Sequence, residues 1–136
     1  MHEFALAEGV AVTAVQAARK EGLQRITRLT VGIGELQQIE RELFTGALRE
    51  VMPAIHPQLA GVELELIVRP ARLRCRACGQ PFDLQAGNSE LTEDQAEAIH
   101  FVPELAHTYL RCPACGSPDF EVMEGRGVWL EEIEGA

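Results

Sequence analysis

Two stretches of the chain repeat apolar residues at the spacing of an amphipathic helix. The first covers residues 3–21 and the second residues 40–54, with Pro53 expected to fray the end of the second. The apolar positions are Leu6, Ala7, Val10, Ala11, Ala14, Val15 and Ala18 in the first stretch, and Leu43, Phe44, Ala47, Leu48, Val51, Met52 and Ile55 in the second. Two helices, each with one buried face, are therefore predicted.

Four other segments are typical of short strands. Residues 26–33 are rich in β-branched side chains, and residues 62–68 alternate apolar with charged positions, which predicts a half-buried strand. Residues 120–123 and 128–133 lie on either side of a Gly-Arg-Gly turn. We expect the last of these strands to rejoin the sheet formed by the first two. Between the middle strands, Thr92 and Gln95 have the spacing of a capping box, which predicts a short helix.

All four cysteines fall in two matching motifs, Cys-Arg-Ala-Cys-Gly at Cys75 and Cys78, and Cys-Pro-Ala-Cys-Gly at Cys112 and Cys115. Two intervening residues let both thiolates of a pair reach one ion, and the following glycine permits the tight turn. Two such knuckles complete a tetrahedral site of four sulfurs, which is typical of structural zinc and leaves no coordination position open. Iron in a rubredoxin-like site is the serious alternative, whereas a thioredoxin-like dithiol or a pair of disulfides fits less well.

These elements predict an α+β fold. A small mixed sheet would be packed by the two helices, and a zinc-ribbon-like lobe carrying the two Cys-x-x-Cys knuckles would be inserted into it. The expected division places residues 1–71 and 124–136 in an α/β domain and residues 72–123 in a zinc-binding domain.

The formal net charge of −9 lies entirely in the second half of the chain. Residues 1–74 hold nine basic and nine acidic side chains, whereas residues 75–136 hold three basic and twelve acidic ones. An acidic lobe repels phosphate backbones, which argues against nucleic acid as a partner. It suits a basic protein or a divalent cation, or serves simply as a solvated surface.

The sequence predicts a protein of the reducing cytoplasm. It shows no apolar run that could span a bilayer, and its start, with an acid at Glu3, does not have the pattern of a secretory signal. In that compartment paired cysteines are more often metal ligands than disulfides.

The first residues offer a second metal site. The α-amine of Met1, the backbone nitrogen of His2 and its Nδ1 can bind one ion through fused five- and six-membered rings, and Glu3 can add a carboxylate. Such planar, nitrogen-rich geometry favours Ni(II) or Cu(II). A histidine also occurs here by chance, so an exposed terminus without metal is the alternative interpretation.

Two further histidines, His100 and His107, lie between the knuckles. One of them can close the nickel shell, or both can be ordinary surface residues. Pro103 between them argues against one continuous helix. No Walker lysine motif and no Ser/His/Asp or Cys/His arrangement is present, so the chain is not expected to be an enzyme. The rival function is a zinc-ribbon adaptor for protein interactions without a transferable metal.

Several of these features together resemble the HypA/HybF family of hydrogenase maturation proteins, over nearly the whole chain. They are Met-His-Glu at residues 1–3, Gly-Glu-Leu-Gln at 34–37, the two knuckles, and Gly-Arg-Gly at 125–127 before the last strand. Cys78 and Cys112 are separated by 33 residues. This is similar to the long-linker form of some archaeal members, in which the His-Phe-x-Pro-Glu stretch of residues 100–104 also occurs.

The resemblance implies a nickel metallochaperone that serves [NiFe]-hydrogenase and, in some organisms, urease. Ni(II) would be a transient cargo bound by Met1, His2 and Glu3, with His100 preferred to His107 as a further ligand, while the four cysteines would hold structural Zn(II). The implied partners are a HypB-type nucleotide-hydrolysing accessory protein and the hydrogenase large subunit, with no nucleic acid and no membrane.

Overall fold

The structure, a computed structural model, describes residues 2–136, with only the backbone given for His2. The elements follow in the order α1 His2–Glu21, β1 Ile26–Gly34, α2 Arg41–Ile55, β2 Glu63–Arg69, β3 Arg72–Cys75, β4 Pro81–Asp83, α3 Leu84–Gly87, α4 Glu93–Phe101, α5 Ala106–Tyr109, β5 Phe120–Glu124 and β6 Val128–Gly135. Short 3-10 turns occur at Glu35–Gln37, Pro57–Leu59 and Pro103–Leu105. The predicted α+β class, with two long helices and a cysteine-bearing lobe, is confirmed.

Contacts divide the chain into two compact units. The first comprises Met1–Gly32, Ile39–Ile67 and Val128–Ala136, and the second comprises Ile33–Gln38 and Val68–Gly127. This division differs from the expected one at residues 68–71 and 124–127, which extend the second unit at both ends, and at residues 33–38, which pack with the cysteine-bearing part of the chain. The physical reason is that Leu36 belongs to the hydrophobic core of the second unit, where its side chain is fully buried.

Helix α1 buries a face built almost wholly of small side chains, Ala7, Val10, Ala11, Ala14, Val15 and Ala18. Such a face allows close approach, and α1 packs against both α2 and β6. Glu3 in the first turn and the basic pair Arg19 and Lys20 in the last turn complement the helix dipole.

Helix α2 buries a narrower stripe than its sequence predicts. Phe44, Ala47, Leu48 and Met52 are buried, but the predicted core positions Leu43 and Ile55 are 62% and 38% exposed. Leu43 precedes Phe44 by one residue, a rotation of about 100° around the helix, which carries its side chain out of the buried face. The helix continues through Pro53 to Ile55.

The first sheet has the strand order β2-β1-β6, so the final strand rejoins β1 as expected. At one end Arg25 and Ala136 exchange both backbone hydrogen bonds, and at the other the Gly34 N–H donates to the Gly127 carbonyl, so β1 and β6 run antiparallel. Arg28 on β1 forms ion pairs with Glu63 and Glu65 of β2 and with Glu134 of β6. One guanidinium therefore ties all three strands together on an exposed face.

The second sheet has the order β4-β3-β5, with both pairs antiparallel. Leu73 at its centre lies opposite Phe82 on one side and Val122 on the other. Ile99 of α4, Ala106 of α5 and Leu110, which directly follows α5, pack with the sheet residues in one core that also contains Cys75 and Cys112. Helix α4 begins with the predicted capping box between Thr92 and Gln95.

Candidate metal centre

The four cysteine side chains converge on one point of the second unit. Their sulfur atoms all lie within 4.8 Å of one another, with Sγ distances of 3.5 Å between Cys75 and Cys115 and 3.6 Å between Cys78 and Cys112. In a tetrahedral site with metal–sulfur distances of about 2.3 Å, neighbouring sulfurs lie about 3.8 Å apart. The cluster therefore has the size of a four-thiolate metal site, and none of the cysteines forms a disulfide.

Two turns of the same construction present these sulfurs. The Gly79 N–H donates to the Cys75 carbonyl at 2.9 Å, and the Gly116 N–H donates to the Cys112 carbonyl at 2.8 Å. Both glycines have left-handed backbone angles, with φ of 79° and 78°, where a Cβ would be strained. The glycine after each second cysteine is thus required by the turn, as the motifs predict.

Further bonds hold the knuckles to the sheet. The Cys75 N–H donates to the Gln80 carbonyl, which closes the first turn, and the Cys112 N–H donates to the Ser117 carbonyl, which closes the second. Arg76 joins the two halves, because its backbone N–H donates to the Asp119 carbonyl and its guanidinium pairs with the Asp119 carboxylate at 3.1 Å. The cysteine side chains are therefore positioned by hydrogen bonds within the chain, independently of a bound metal.

The thiol groups differ in acidity when no metal is bound. The Cys78 backbone N–H lowers the pKa of Cys75 to about 7. For Cys115 the Ser117 backbone N–H lowers the pKa, but the Cys75 thiol and burial outweigh it and raise the pKa to about 12. For Cys78 the Gln80 backbone N–H lowers the pKa, but burial and the Cys112 thiol outweigh it, so the pKa is raised. A bound divalent cation favours thiolate over thiol and would displace these protons.

The residues expected to bind nickel are only partly described. Met1 and the side chain of His2 lie outside the described residues, so the structure does not place the Met1 amine or the His2 imidazole. Glu3 is half-buried in the first turn of α1. The expected chelate at the N-terminus remains a prediction.

His100 lies near the end of α4 and is 6% exposed, so it is not the surface residue that one interpretation of the sequence allowed. Its Nδ1 lies 2.9 Å from the carbonyl oxygen of Gln37. Because a carbonyl can only accept, Nδ1 carries the proton and Nε2 of the neutral ring carries the lone pair. Metal-ligating histidines usually donate their second nitrogen to a carbonyl or carboxylate in this way. Sequence reasoning did not identify Gln37 as this partner, although it belongs to the Gly-Glu-Leu-Gln motif.

His107 occupies a different environment. Its ring is exposed, stacks on Phe120 with centroids 4.1 Å apart, and donates from Nδ1 to the Pro118 carbonyl at 3.0 Å. Pro118 follows the second knuckle, so His107 braces that turn. As Pro103 predicted, α4 ends at Phe101 and His107 belongs to the separate helix α5.

The helices in the described part of the chain were also searched for membrane-spanning segments, and none of them combines the length and the hydrophobicity that such a segment needs.

Comparison with known proteins identifies a family whose sequence model spans nearly the whole chain. The sequence model of a family described as "Hydrogenase/urease nickel incorporation, metallochaperone, hypA" matches residues 1–135. Hydrogenase maturation factor HypA of Thermococcus sibiricus is 40% identical over 134 residues, covering 98% of this chain and 96% of the relative. The corresponding factor of Pyrococcus abyssi is 39% identical over 134 residues, covering 98% and 95%.

The fold also matches a solved structure. The solution structure of the Ni metallochaperone HypA from Helicobacter pylori superposes with a TM-score of 0.67 at 20% identity, covering 99% of this chain and 97% of that one. At that identity the likeness establishes the fold alone, whereas the family match and the archaeal relatives extend over the whole sequence. This chain therefore belongs to the HypA family of hydrogenase maturation nickel metallochaperones.

Proposed function

We propose that this chain carries Ni(II) from a site at its N-terminus to [NiFe]-hydrogenase during maturation of that enzyme in the cytoplasm, and that its four cysteines hold a structural Zn(II). The observation that carries the proposal is the family match over residues 1–135, which includes both the Met-His-Glu start and the two knuckles. In this role the chain acts as a carrier and not as a catalyst.

The cysteine cluster supports the division of labour between the two metals. Four thiolates satisfy a tetrahedral zinc completely, so this site has no open position through which a cargo metal could exchange. Soft sulfur ligands hold zinc firmly, whereas cargo must be released. The cargo site is therefore proposed at nitrogen and oxygen ligands elsewhere in the chain. Iron in the cysteines is the alternative, and metal analysis of the isolated protein distinguishes the two.

The proposed nickel ligands are the α-amine of Met1, the backbone nitrogen and Nδ1 of His2, the Glu3 carboxylate and Nε2 of His100. A chelate of amine, amide and imidazole nitrogens suits the planar preference of Ni(II). The hydrogen bond from His100 Nδ1 to the Gln37 carbonyl supports His100, because it leaves Nε2 as the unprotonated nitrogen.

Release follows from the uneven strength of these ligands. At the N-terminus, the proposed ligand atoms of Met1 and His2 hold the metal together through fused chelate rings. His100, by contrast, contributes a single nitrogen from a distant part of the sequence. Loss of that nitrogen on binding a partner would lower nickel affinity and allow transfer. The proposed partners are a HypB-type nucleotide-hydrolysing protein and the hydrogenase large subunit. The acidic balance of residues 75–136, three basic and twelve acidic side chains, would favour a basic surface on a partner.

The test is calorimetric Ni(II) titration of untagged, zinc-loaded protein near neutral pH. The wild type is expected to bind about one nickel per chain, and His2→Ala or a Gly-Ser extension before Met1 to abolish that binding. His100→Ala should weaken it, whereas His107→Ala, a matched histidine that braces the second knuckle, should leave it unchanged. Equal binding by wild type and His2→Ala, or none by either, would favour the zinc-ribbon adaptor instead.

A further inference from the structure

The His100 imidazole is oriented by one backbone carbonyl from another segment of the second unit. The Gln37 carbonyl accepts from Nδ1 at 2.9 Å, and both groups are buried, with His100 and Gln37 each 6% exposed. In water the neutral imidazole favours the tautomer protonated on Nε2. The tautomer in this structure is the opposite one, because the acceptor faces Nδ1.

The direction of that carbonyl depends on an unusual backbone conformation. The carbonyl belongs to the peptide unit between Gln37 and Gln38, and its orientation is set partly by φ of Gln38. That angle is 51°, and Gln38 is the one non-glycine residue with positive φ among the described residues. A left-handed conformation is uncommon for a residue with a side chain, and such residues are often found where function requires them.

Several hydrogen bonds hold this turn in place. Gln38 donates two hydrogen bonds to the Glu35 carbonyl, one from its backbone N–H at 3.1 Å and one from its side-chain Nε2 at 2.8 Å. The Gln37 Oε1 accepts from the Gly127 N–H at 3.0 Å, and the Leu36 N–H donates to the Gly125 carbonyl at 2.9 Å. The turn is therefore fixed on both sides, and the Gln37 carbonyl cannot rotate away without breaking these bonds.

We infer that Gln37 and Gln38 are positioning residues for nickel binding: their turn fixes His100 in the Nδ1-protonated tautomer, so that Nε2 is the nitrogen presented to the metal. The metal step rests on the proposed function. The tautomer step does not, since it concerns the nickel-free protein. A purely structural hydrogen bond would stabilise the unit but would leave nickel affinity independent of the tautomer.

The first experiment compares Gln38→Val with Gln38→Gly. Both variants lose the side-chain bond to Glu35, but only glycine adopts positive φ without strain, whereas a β-branched side chain strongly disfavours it. In nickel-free, zinc-loaded protein at mildly alkaline pH, nitrogen NMR of His100 should show a protonated Nδ1 in wild type and Gln38→Gly. Gln38→Val should shift the ring towards protonated Nε2. An unchanged tautomer in Gln38→Val, or a protonated Nε2 in wild type, would overturn the inference.

The second experiment measures nickel affinity in the same proteins and in Gln37→Met and Gln37→Glu. Methionine keeps the length but not the acceptor for the Gly127 N–H, while glutamate restores an acceptor oxygen. Loss of an outer hydrogen-bond partner of a metal ligand typically weakens binding roughly 10- to 100-fold. We expect that loss in Gln38→Val and Gln37→Met, with affinity largely retained in Gln38→Gly and recovered in Gln37→Glu.

The two levels of the argument fail separately. If the tautomer shifts as expected but nickel affinity stays at the wild-type value in Gln38→Val and Gln37→Met, the positioning role is overturned and the hydrogen bond between His100 and Gln37 is structural. If His100→Ala also binds nickel like wild type, His100 is not a ligand, and the proposed N-terminal chelate is then judged by His2→Ala alone. Zinc content and NMR dispersion show which variants are folded, and the Gln38 pair decides the matter if the Gln37 variants are not.

Discussion

Replacing Gly125 and Gly127 with alanine, one at a time, separates backbone strain from steric overlap at the corner before the last strand. Both glycines have φ of 90°, so each substitution forces a side chain into the same unfavourable conformation. A Cβ at Gly127 meets nothing within 4 Å. A Cβ at Gly125 would overlap the Cα of Ala71 and lie 2.8 Å from the Ala71 nitrogen and the Pro70 carbonyl oxygen.

The expected magnitudes follow from that difference. Positive φ destabilises a residue with a Cβ by about 1–2 kcal/mol. Replacing glycine with alanine also lowers the conformational entropy of the unfolded chain, which offsets about 0.4–1 kcal/mol of that loss. Gly127→Ala should therefore lose about 1 kcal/mol. Gly125→Ala adds overlap with backbone atoms, which no rotamer change can relieve, and overpacking of this kind costs about 1–3 kcal/mol more. We expect Gly125→Ala to be the less stable variant by about 2 kcal/mol.

Urea unfolding of the zinc-loaded proteins, followed by far-UV circular dichroism, measures the overall loss. Native-state hydrogen exchange at the amides of β3 assigns it to the second unit, because the two units can open separately. Equal destabilisation of the two variants, within about 0.5 kcal/mol, would refute the close approach of Gly125 to Ala71.

Two further predictions concern the same unit. Zinc binding to metal-free protein at neutral pH should release protons from the thiols. Cys78 and Cys115, whose pKa values are raised, should together release about two protons, and Cys75, whose pKa is about 7, should release a fraction of one more. Zinc affinity should therefore rise with pH and fall in acid, which competition with a chromophoric chelator over a pH series measures; a pH-independent affinity would contradict the assigned thiol protonation. Thr92→Ala removes the N-cap oxygen that accepts from the Gln95 N–H and should lower the free energy of unfolding in urea by about 1 kcal/mol. Thr92→Ser keeps an acceptor oxygen and should retain most of that stability. Equal stability of these two variants would show that the cap contributes nothing.

Local signals in the sequence were sufficient to predict the long helices, the capping box and the cysteine cluster. The alanine-rich face of α1 has a clear helical period, and Thr92 and Gln95 have a spacing that serves few other purposes. The knuckles are equally self-contained, because each is closed by hydrogen bonds within about six residues. These features could be predicted because the interactions that form them are between near neighbours.

The features that sequence reasoning missed depend on distant partners. Strands β3 and β4 have four and three residues, too few to show a period, and they exist because the first knuckle folds one onto the other. The burial of His100 depends on Gln37, 63 positions away. The assignment of residues 33–38 to the second unit depends on Leu36 entering a core assembled mostly from residues after Ala71. No local pattern encodes such pairings.

The two knuckles also act as a cross-link between distant points of the chain. A metal that joins Cys75 to Cys112 closes a loop of more than thirty residues, which contains α3, α4 and α5. If the ion constrains the unfolded chain as a disulfide would, closing a loop of this length is worth about 4 kcal/mol. That is a large part of the stability of a domain this small. His100 lies inside the closed loop, so a cell that is short of zinc would produce chains in which this proposed nickel ligand is not held in place. Supply of the structural metal would thereby limit handling of the cargo metal.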